Sequence, residues 1–417
     1  MILKGNLIAA PKLGELTVLP GGYLVLDDAG TIQGVYGEAQ PFFHGQTVCD
    51  FGDKLILQSF ADLHLHAPQY PMLGMGMDLP LLEWLNTYTF RMEAYFEDTT
   101  FARQVYRRLA AELIANGTTR VAMFSSLHAD ATLILMEELE RAGVTGYVGK
   151  VNMDRNGGEN LQESTEESKR ETLRWLDACE QFQRIKPILT PRFTPSCTDD
   201  LMEWLGRLAA DRGLYVQSHL SENRSEINWV GELHPDCQQY WETYAKYGLW
   251  KDHTLMAHCV HSDQRERDAM RRHHVTAVHC ADSNRNLCSG TAPLRRMLRE
   301  GVQVALGSDI AGGAQLPMMQ VITASIRASK AKYLEDAGEA EFLTAAEGYY
   351  LGTTAGHQYF GAGCGFSAGD KLHAIVVDDS RFISPRPLTL PERLERALYR
   401  TVQDDIVAVY SEGRKVK

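Results

Sequence analysis

The feature that most constrains this chain is an alternation. Eight apolar, β-prone runs, at 55–66, 118–124, 145–154, 184–193, 214–220, 253–260, 275–284 and 302–309, are separated by segments with helical patterning. Residues 101–116 carry apolar side chains at helical spacing and stop at Asn116-Gly117, a pair suited to a helix C-terminus. Residues 160–183 are charged and amphipathic, and 262–274 and 290–300 are shorter helical stretches. Eight strands alternating with helices predict an α/β fold, a (β/α)8 barrel of the TIM type. A doubly wound sheet is the competing arrangement, and no GxGxxG or Walker pattern supports it.

The two ends of the chain read differently. Residues 21–32 spell strand, turn and strand, with Asp28-Ala29-Gly30 at the turn, and 372–377 and 405–410 are short strand candidates. Two β-rich ends around a long middle predict a small discontinuous β-sandwich domain from residues 1–54 and 366–417, with the barrel over 55–365. A length of 417 residues accommodates both.

Composition excludes several classes of function. A net charge of −12 disfavours binding to a phosphate backbone, which needs a basic footprint, but leaves a free nucleobase open as a ligand. No run approaches the ~18 apolar residues of a membrane span. The opening MILKGNLIAAPK has no long apolar stretch, so no secretory leader is expected. The eight cysteines are scattered without a CxxC pair, which predicts reduced thiols in a cytoplasmic protein.

The chemistry-bearing residues sit at the ends of strand candidates. In Asp62-Leu63-His64-Leu65-His66, residues two apart on a strand share a face, so both imidazoles can meet one ion. Taken alone, the pair also reads as two incidental strand-end histidines. Gln217-Ser218-His219-Leu220-Ser221-Glu222 ends the fifth run and offers a third imidazole, followed by a carboxylate placed to move a proton or simply to face solvent. Met256-Ala257-His258-Cys259 ends the sixth run and Leu306-Gly307-Ser308-Asp309 the eighth. Strand ends of a barrel converge on one mouth, where active sites sit. Imidazoles and a carboxylate gathered there suit zinc or another borderline divalent metal with an open water position. His279, in the seventh run, is compatible with either the barrel interior or the helices.

This order of HxH, His, His and Asp resembles the amidohydrolase superfamily, and the lack of a suitably placed lysine resembles its mononuclear deaminase branch. Finer motifs are similar to those of the guanine deaminases. They are His64-Leu-His-Ala-Pro-Gln69-Tyr70, Asp78-Leu-Pro-Leu-Leu-Glu-Trp-Leu-Asn86, Pro191-Arg192-Phe193-Thr-Pro-Ser196-Cys197, Gln217-Ser-His219-Leu-Ser-Glu222-Asn223-Arg224, Met256-Ala-His258 and Gly307-Ser-Asp309-Ile-Ala-Gly-Gly313. The resemblance implies that His64, His66, His219 and Asp309 hold one zinc ion, with ferrous iron as the alternative. It implies that Glu222 shuttles a proton, that Asp309 also accepts one, and that His258 stands beside the attacking water and the substrate. Gln69 and Arg192 are expected to read the purine edges, Phe193 to pack near the ring, and Trp84 and Leu85 to help close the pocket.

The implied reaction is hydrolysis of guanine to xanthine and ammonia, by a cytoplasmic homodimer. Deamination of a pterin, an oxidised guanine or another amino-substituted heterocycle stays open, as does a non-catalytic barrel scaffold. Two departures stand out. The family's usual Pro-Gly-Phe is Gln58-Ser59-Phe60 here, and its usual His-Cys-Pro-x-Ser-Asn is His279-Cys280-Ala281-Asp282-Ser283-Asn284. The second places an extra acid near the mouth and bears on substrate choice.

Overall fold

In the computed structural model, which describes residues 1–158, 161–336 and 341–417, each of the eight apolar runs contributes one parallel barrel strand. Phe60–His66, Thr118–Phe124, Thr145–Gly149 and Ile185–Pro187 form one half, and Val216–Leu220, Thr254–His258, Thr276–His279 and Gln303–Leu306 the other. The halves meet through the Leu189 and Val216 bridge, where the Gln217 amide donates to the Leu189 carbonyl at 2.9 Å. They meet again across the eighth and first strands, where the Asp309 amide donates to the His64 carbonyl at 2.8 Å and the His66 amide to the Ile310 carbonyl at 3.0 Å.

The intervening helices pack outside. Thr99–Ala115 starts at Asp98, whose side chain accepts from the Thr100 and Phe101 amides, and it ends at Asn116 with Gly117 in the left-handed region. It buries Ala102, Val105, Tyr106, Leu109 and Leu113, one helical face, against the same apolar layer as Leu65, Val121 and Met123. The barrel interior is filled separately, by Ala61, Leu63, Ala122, Ile188, Leu255, Val278 and Ala305. Small and branched residues there leave room for the polar strand ends above them.

The termini build a second unit. Arg414–Lys415, Ile406–Ser411, Ala374–Val377, Val48–Gln58, Ile2–Lys12, Glu15–Leu26 and Ile32–Tyr36 lie side by side in that order as one seven-stranded sheet. The Ile32 amide donates to the Asp370 carbonyl at 2.8 Å and the Leu372 amide to the Gly30 carbonyl at 3.1 Å. The sheet therefore folds over on itself around Leu3, Leu24, Leu26, Ile32, Ile56, Val376 and Tyr410.

Some boundaries differ from those expected. The run 55–66 divides at Ser59: Val48–Gln58 belongs to the terminal sheet, and the barrel begins at Phe60. The boundary drawn at 54/55 thus falls inside a sheet strand. Both pieces are buried, so the run reads as continuous. Gln58, where the family has proline, accepts from the Ala10 amide and donates to Thr354 Oγ1, each at 2.9 Å, and ties the two units together. The run 275–284 stops at His279, and Ala281–Asn286 is a short helix instead. The amphipathic segment 160–183 forms an α-helix over Thr165–Ala178, started by the Ser164 side chain and continued by a 3-10 turn at Cys179–Gln181; Asn160 lies outside the described residues. Among the described residues, no helix is long and apolar enough to cross a membrane.

Two predictions follow from this packing. A Cβ at Gly307 would stand 2.8 Å from the His64 Cβ and 2.9 Å from its carbonyl oxygen. Gly307→Ala wedges the eighth strand from the first and is expected to cost about 1–3 kcal/mol of stability, read from urea unfolding. An unchanged midpoint would show that the seam yields freely. Second, burial pushes the His357 imidazole down to about 3, with the Arg120 guanidinium adding to it, and pushes His279 down to about 4. Both stay neutral when folded, whereas the unfolded chain takes up protons below its ordinary histidine value near 6.5. Stability therefore falls as pH drops from that value, by up to about 1.4 kcal/mol per pH unit for each group. The slope should be shallower in His357→Gln; equal slopes in parent and variant would refute this account.

Candidate active site

The first barrel strand carries a bulge between Asp62 and Leu65, the kind of irregularity that re-aims side chains at a barrel rim. Asp62, fully buried, accepts from the Ser308 amide at 2.9 Å and the His64 amide at 3.3 Å, and so grips both sides of the seam. Four non-glycine residues at strand ends, Ser221, His258, Cys259 and Asp309, adopt left-handed φ values of 48°, 74°, 51° and 48°. Each such conformation costs about 1–2 kcal/mol, and such clusters mark functional sites.

These turns bring the expected ligands together. His64 Nε2 lies 3.2 Å from Asp309 Oδ1, His66 Nε2 lies 3.5 Å from the same oxygen, and His66 Nε2 lies 3.2 Å from His219 Nε2. Four donors placed tetrahedrally at 2.0–2.1 Å from one ion would stand about 3.3 Å apart. His219 Nδ1 is 2.6 Å from the Arg192 carbonyl. A carbonyl only accepts, so Nδ1 carries the proton and Nε2 a lone pair. His64 Nε2 makes no hydrogen bond despite its burial. Burial holds the His64 imidazole below its ordinary value, and those of His66 and His219 well below theirs. Burial alone would push Asp309 up, but the imidazoles of His64, His258 and His66 hold its carboxyl well below the usual range. Neutral imidazoles around a buried carboxylate, with an unpartnered nitrogen among them, fit a divalent cation. The donor atoms of His64, His219 and His258, and those of His64, Cys280 and Asp309, also lie within 4.8 Å of one another. Burial pushes the Cys280 thiol well up, which keeps it protonated and a poor ligand.

Beside this cluster stands a proton-handling pair. His258 Nε2 lies 3.4 Å from Glu222 Oε2 and 3.8 Å from Asp309 Oδ2, and its Nδ1 lies 2.9 Å from Asn284 Oδ1. Burial opposes a charge on His258, but the Glu222 and Asp309 carboxylates outweigh it and raise the imidazole above its ordinary value. Burial pushes the Glu222 carboxyl up to about 7, although His258 pulls the other way. Ser289 Oγ donates to Glu222 Oε1 at 2.9 Å, and the Glu222 amide donates to Glu226 Oε2 at 2.9 Å.

A narrow pocket opens onto these groups. Gln69, Arg192, Phe193, Trp84 and Leu85, the residues expected to contact substrate, all line it, together with His66, His219, Glu222, His258 and Asp309. His64 lies behind His66, with ring centroids 5.0 Å apart. Trp84 and Leu85 sit where the helical run Leu81–Trp84 passes into a π turn over Leu85–Thr89, before Phe90–Ala94. The loop that departs from the family pattern is tied down: Asp282 Oδ2 accepts from the Ala314 amide at 2.8 Å. That acid is used structurally, and it is not among the residues lining the pocket.

Sequence reading missed Leu81, Glu226 and Leu287 in the lining, and Asn284 and Ser289 behind it. Asn284 had a signal, since it belongs to the segment quoted after the seventh run. Glu93 had none. It is fully buried and binds Arg192, 99 positions away in the chain.

Comparison with known proteins agrees with this geometry. The amidohydrolase family profile matches residues 55–416. The guanine deaminase of Dictyostelium discoideum is 32% identical, over 100% of this chain and 98% of that one. The guanine deaminase of Mus musculus is 36% identical, over 87% of this chain and 83% of that one. A crystal structure of guanine deaminase from C. acetobutylicum with bound guanine in the active site superposes with a TM-score of 0.97, at 41% identity, covering 99% of each chain. By profile, sequence and fold, the chain belongs to the amidohydrolase family.

Proposed function

We infer that this protein is a guanine deaminase, which hydrolyses guanine to xanthine and ammonia. The observation that carries the reading is similarity over 99% of the chain to the C. acetobutylicum guanine deaminase with guanine bound in its active site. The pocket supports it: apolar Leu81, Trp84, Leu85, Phe193 and Leu287 line it together with Gln69, Arg192 and the proton-handling groups beside the candidate metal cluster.

The residues suited to hold a single zinc ion, or ferrous iron, are His64, His66, His219 and Asp309. When bound, such an ion lowers the pKa of a water molecule from about 15.7 to about 7, which provides a nucleophile at neutral pH. The chain's own groups supply the rest. Asp309, ionised, can accept the proton of the water that adds to C2 of guanine. Glu222, its carboxyl raised to about 7, is about half protonated at neutrality, and the protonated form can pass its proton to the adjacent ring nitrogen, so that charge does not build on the purine. The Ser289 hydroxyl occupies Oε1 and leaves Oε2 on the side of His258. His258, its Nδ1 held by Asn284, can donate from Nε2 to the oxygen developing at C2. The departing exocyclic nitrogen can take the proton that Asp309 accepted, and as the C2–N bond breaks and the C2 oxygen becomes a carbonyl its proton returns to Glu222, releasing ammonia. Trp84, Leu85 and Phe193 would cover the ring and exclude water, while Gln69 and Arg192 read its edges.

All eight cysteines are free thiols, which supports a reducing compartment such as the cytoplasm. The homodimer implied by the family resemblance is read by sedimentation of the purified protein.

Purified protein is expected to release ammonia from guanine, to stop when a chelator removes the metal, and to recover with zinc. A metal-loaded protein that releases none from guanine would move the reading to a pterin or an oxidised purine. Glu222→Gln keeps the shape of the side chain but not its proton transfer. It is expected to lower kcat by about 10²–10⁴-fold with the metal content unchanged. A loss below tenfold would remove Glu222 from the proton path.

A further inference from the structure

The two side chains that would read the purine are not independent. Glu93, on the helix Phe90–Ala94, accepts from Arg192 Nη1 at 2.5 Å, from Arg192 Nη2 at 3.0 Å and from Gln69 Nε2 at 2.8 Å. Its side chain is fully buried, and Arg192 is 3% exposed. Gln69 Oε1 accepts from the Ala311 amide at 3.0 Å. Phe90, one turn before Glu93, lies under the Arg192 guanidinium, 5.2 Å from the ring centroid.

We propose that Glu93 is a specificity-determining positioning residue: it selects the orientation of the Gln69 amide and the plane of the Arg192 guanidinium, and so decides which purine edge the pocket accepts. The argument is one of hydrogen-bond capacity. An amide has two N–H donors and two acceptor sites, and its two ends are nearly interchangeable in shape. Here a carboxylate faces one end and a backbone N–H the other. A flipped amide would set oxygen against carboxylate and NH2 against N–H, so only one orientation is allowed. After these two bonds, Gln69 retains one donor and one acceptor. That combination pairs with a ring edge that offers both an acceptor and an N–H.

Arg192 is constrained in the same way. A bidentate pair with a carboxylate fixes the guanidinium plane and leaves its other N–H groups to a substrate carbonyl. The pair also cancels the buried charge, so the pocket's reading end offers hydrogen-bond donors without a net attraction for anions. Because Glu93 sits on the helical run that carries Trp84 and Leu85, the wall of the pocket and its reading groups are one connected unit.

This inference rests on the deaminase reading, and its test separates the two. Parent, Glu93→Gln and Glu93→Asp are compared on guanine and on 2-aminopurine, which keeps the 2-amino group but lacks the 6-oxo group. Glu93→Gln can present an amide oxygen or an NH2 to either partner, so the Gln69 orientation is no longer imposed. It is expected to raise KM for guanine at least tenfold, with a smaller fall in kcat. Its preference for guanine over 2-aminopurine, as a ratio of kcat/KM, should also drop at least tenfold. Glu93→Asp keeps the charge and should recover part of that preference. The double variant Gln69→Ala/Glu93→Gln should lose less preference than the two single losses multiplied together. A purely structural role would lower kcat for both substrates alike, through a smaller folded fraction, with KM and preference unchanged; that result overturns the proposal. If the parent itself releases no ammonia from guanine, the deaminase reading fails first, and the Glu93 proposal falls with it.

Discussion

The seam between the eighth and first strands is the constraint on which the rest of the site depends. The Asp309 amide bonds to the His64 carbonyl and the His66 amide to the Ile310 carbonyl, so residues some 240 positions apart share one local backbone geometry. Asp62 reinforces the seam from below by accepting from the amides of Ser308 and His64. Gly307 permits it, because any Cβ there would meet His64. The positions of three of the four expected ligands therefore follow from backbone hydrogen bonds. Their side chains need only short excursions to converge, and short excursions carry little rotamer freedom to lose.

Above the seam, the site divides its polar groups into three sets that burial treats differently. Histidines on the cation side are held neutral and offer lone pairs. Glu222 is held near 7 because burial penalises its charged form, and His258 is held above its ordinary value by the two acids beside it. At the far end, the Arg192 guanidinium and the Glu93 carboxylate are buried against each other as an ion pair. Breaking such a buried pair from one side costs about 3–5 kcal/mol, because the remaining charge is left without a partner. That cost holds the Arg192 end of the pocket stiff.

Part of this was legible in one dimension. The HxH pair, the His219 and Glu222 segment, His258 and Asp309 each lie at the end of an apolar run, and a parallel barrel gathers such ends at one rim. The substrate-contact candidates were legible through resemblance, and all of them line the pocket. Strand ends were less legible. The run 55–66 is buried throughout, one piece in the terminal sheet and the next in the barrel wall, so the polar pair Gln58-Ser59 between them is not set off as an exposed loop. The run 275–284 continues as apolar residues into a helix, since Cys280 and Ala281 are buried in either conformation.

By itself, the sequence determined the barrel, the terminal β unit and the identity of the metal-suited donors, because these depend on periodicity and on residue types that recur at strand ends. Only the tertiary structure decided what stands behind the groups lining the pocket. Glu93 stands in a short helical run with no motif, and it acquires meaning only when the fold sets it between Gln69 and Arg192. Asn284 behind His258 and Ser289 behind Glu222 are similar cases. Hydrogen bonds and charge pairs depend on distance and direction over a few ångströms, and spacing along the chain carries neither for residues brought together from different loops.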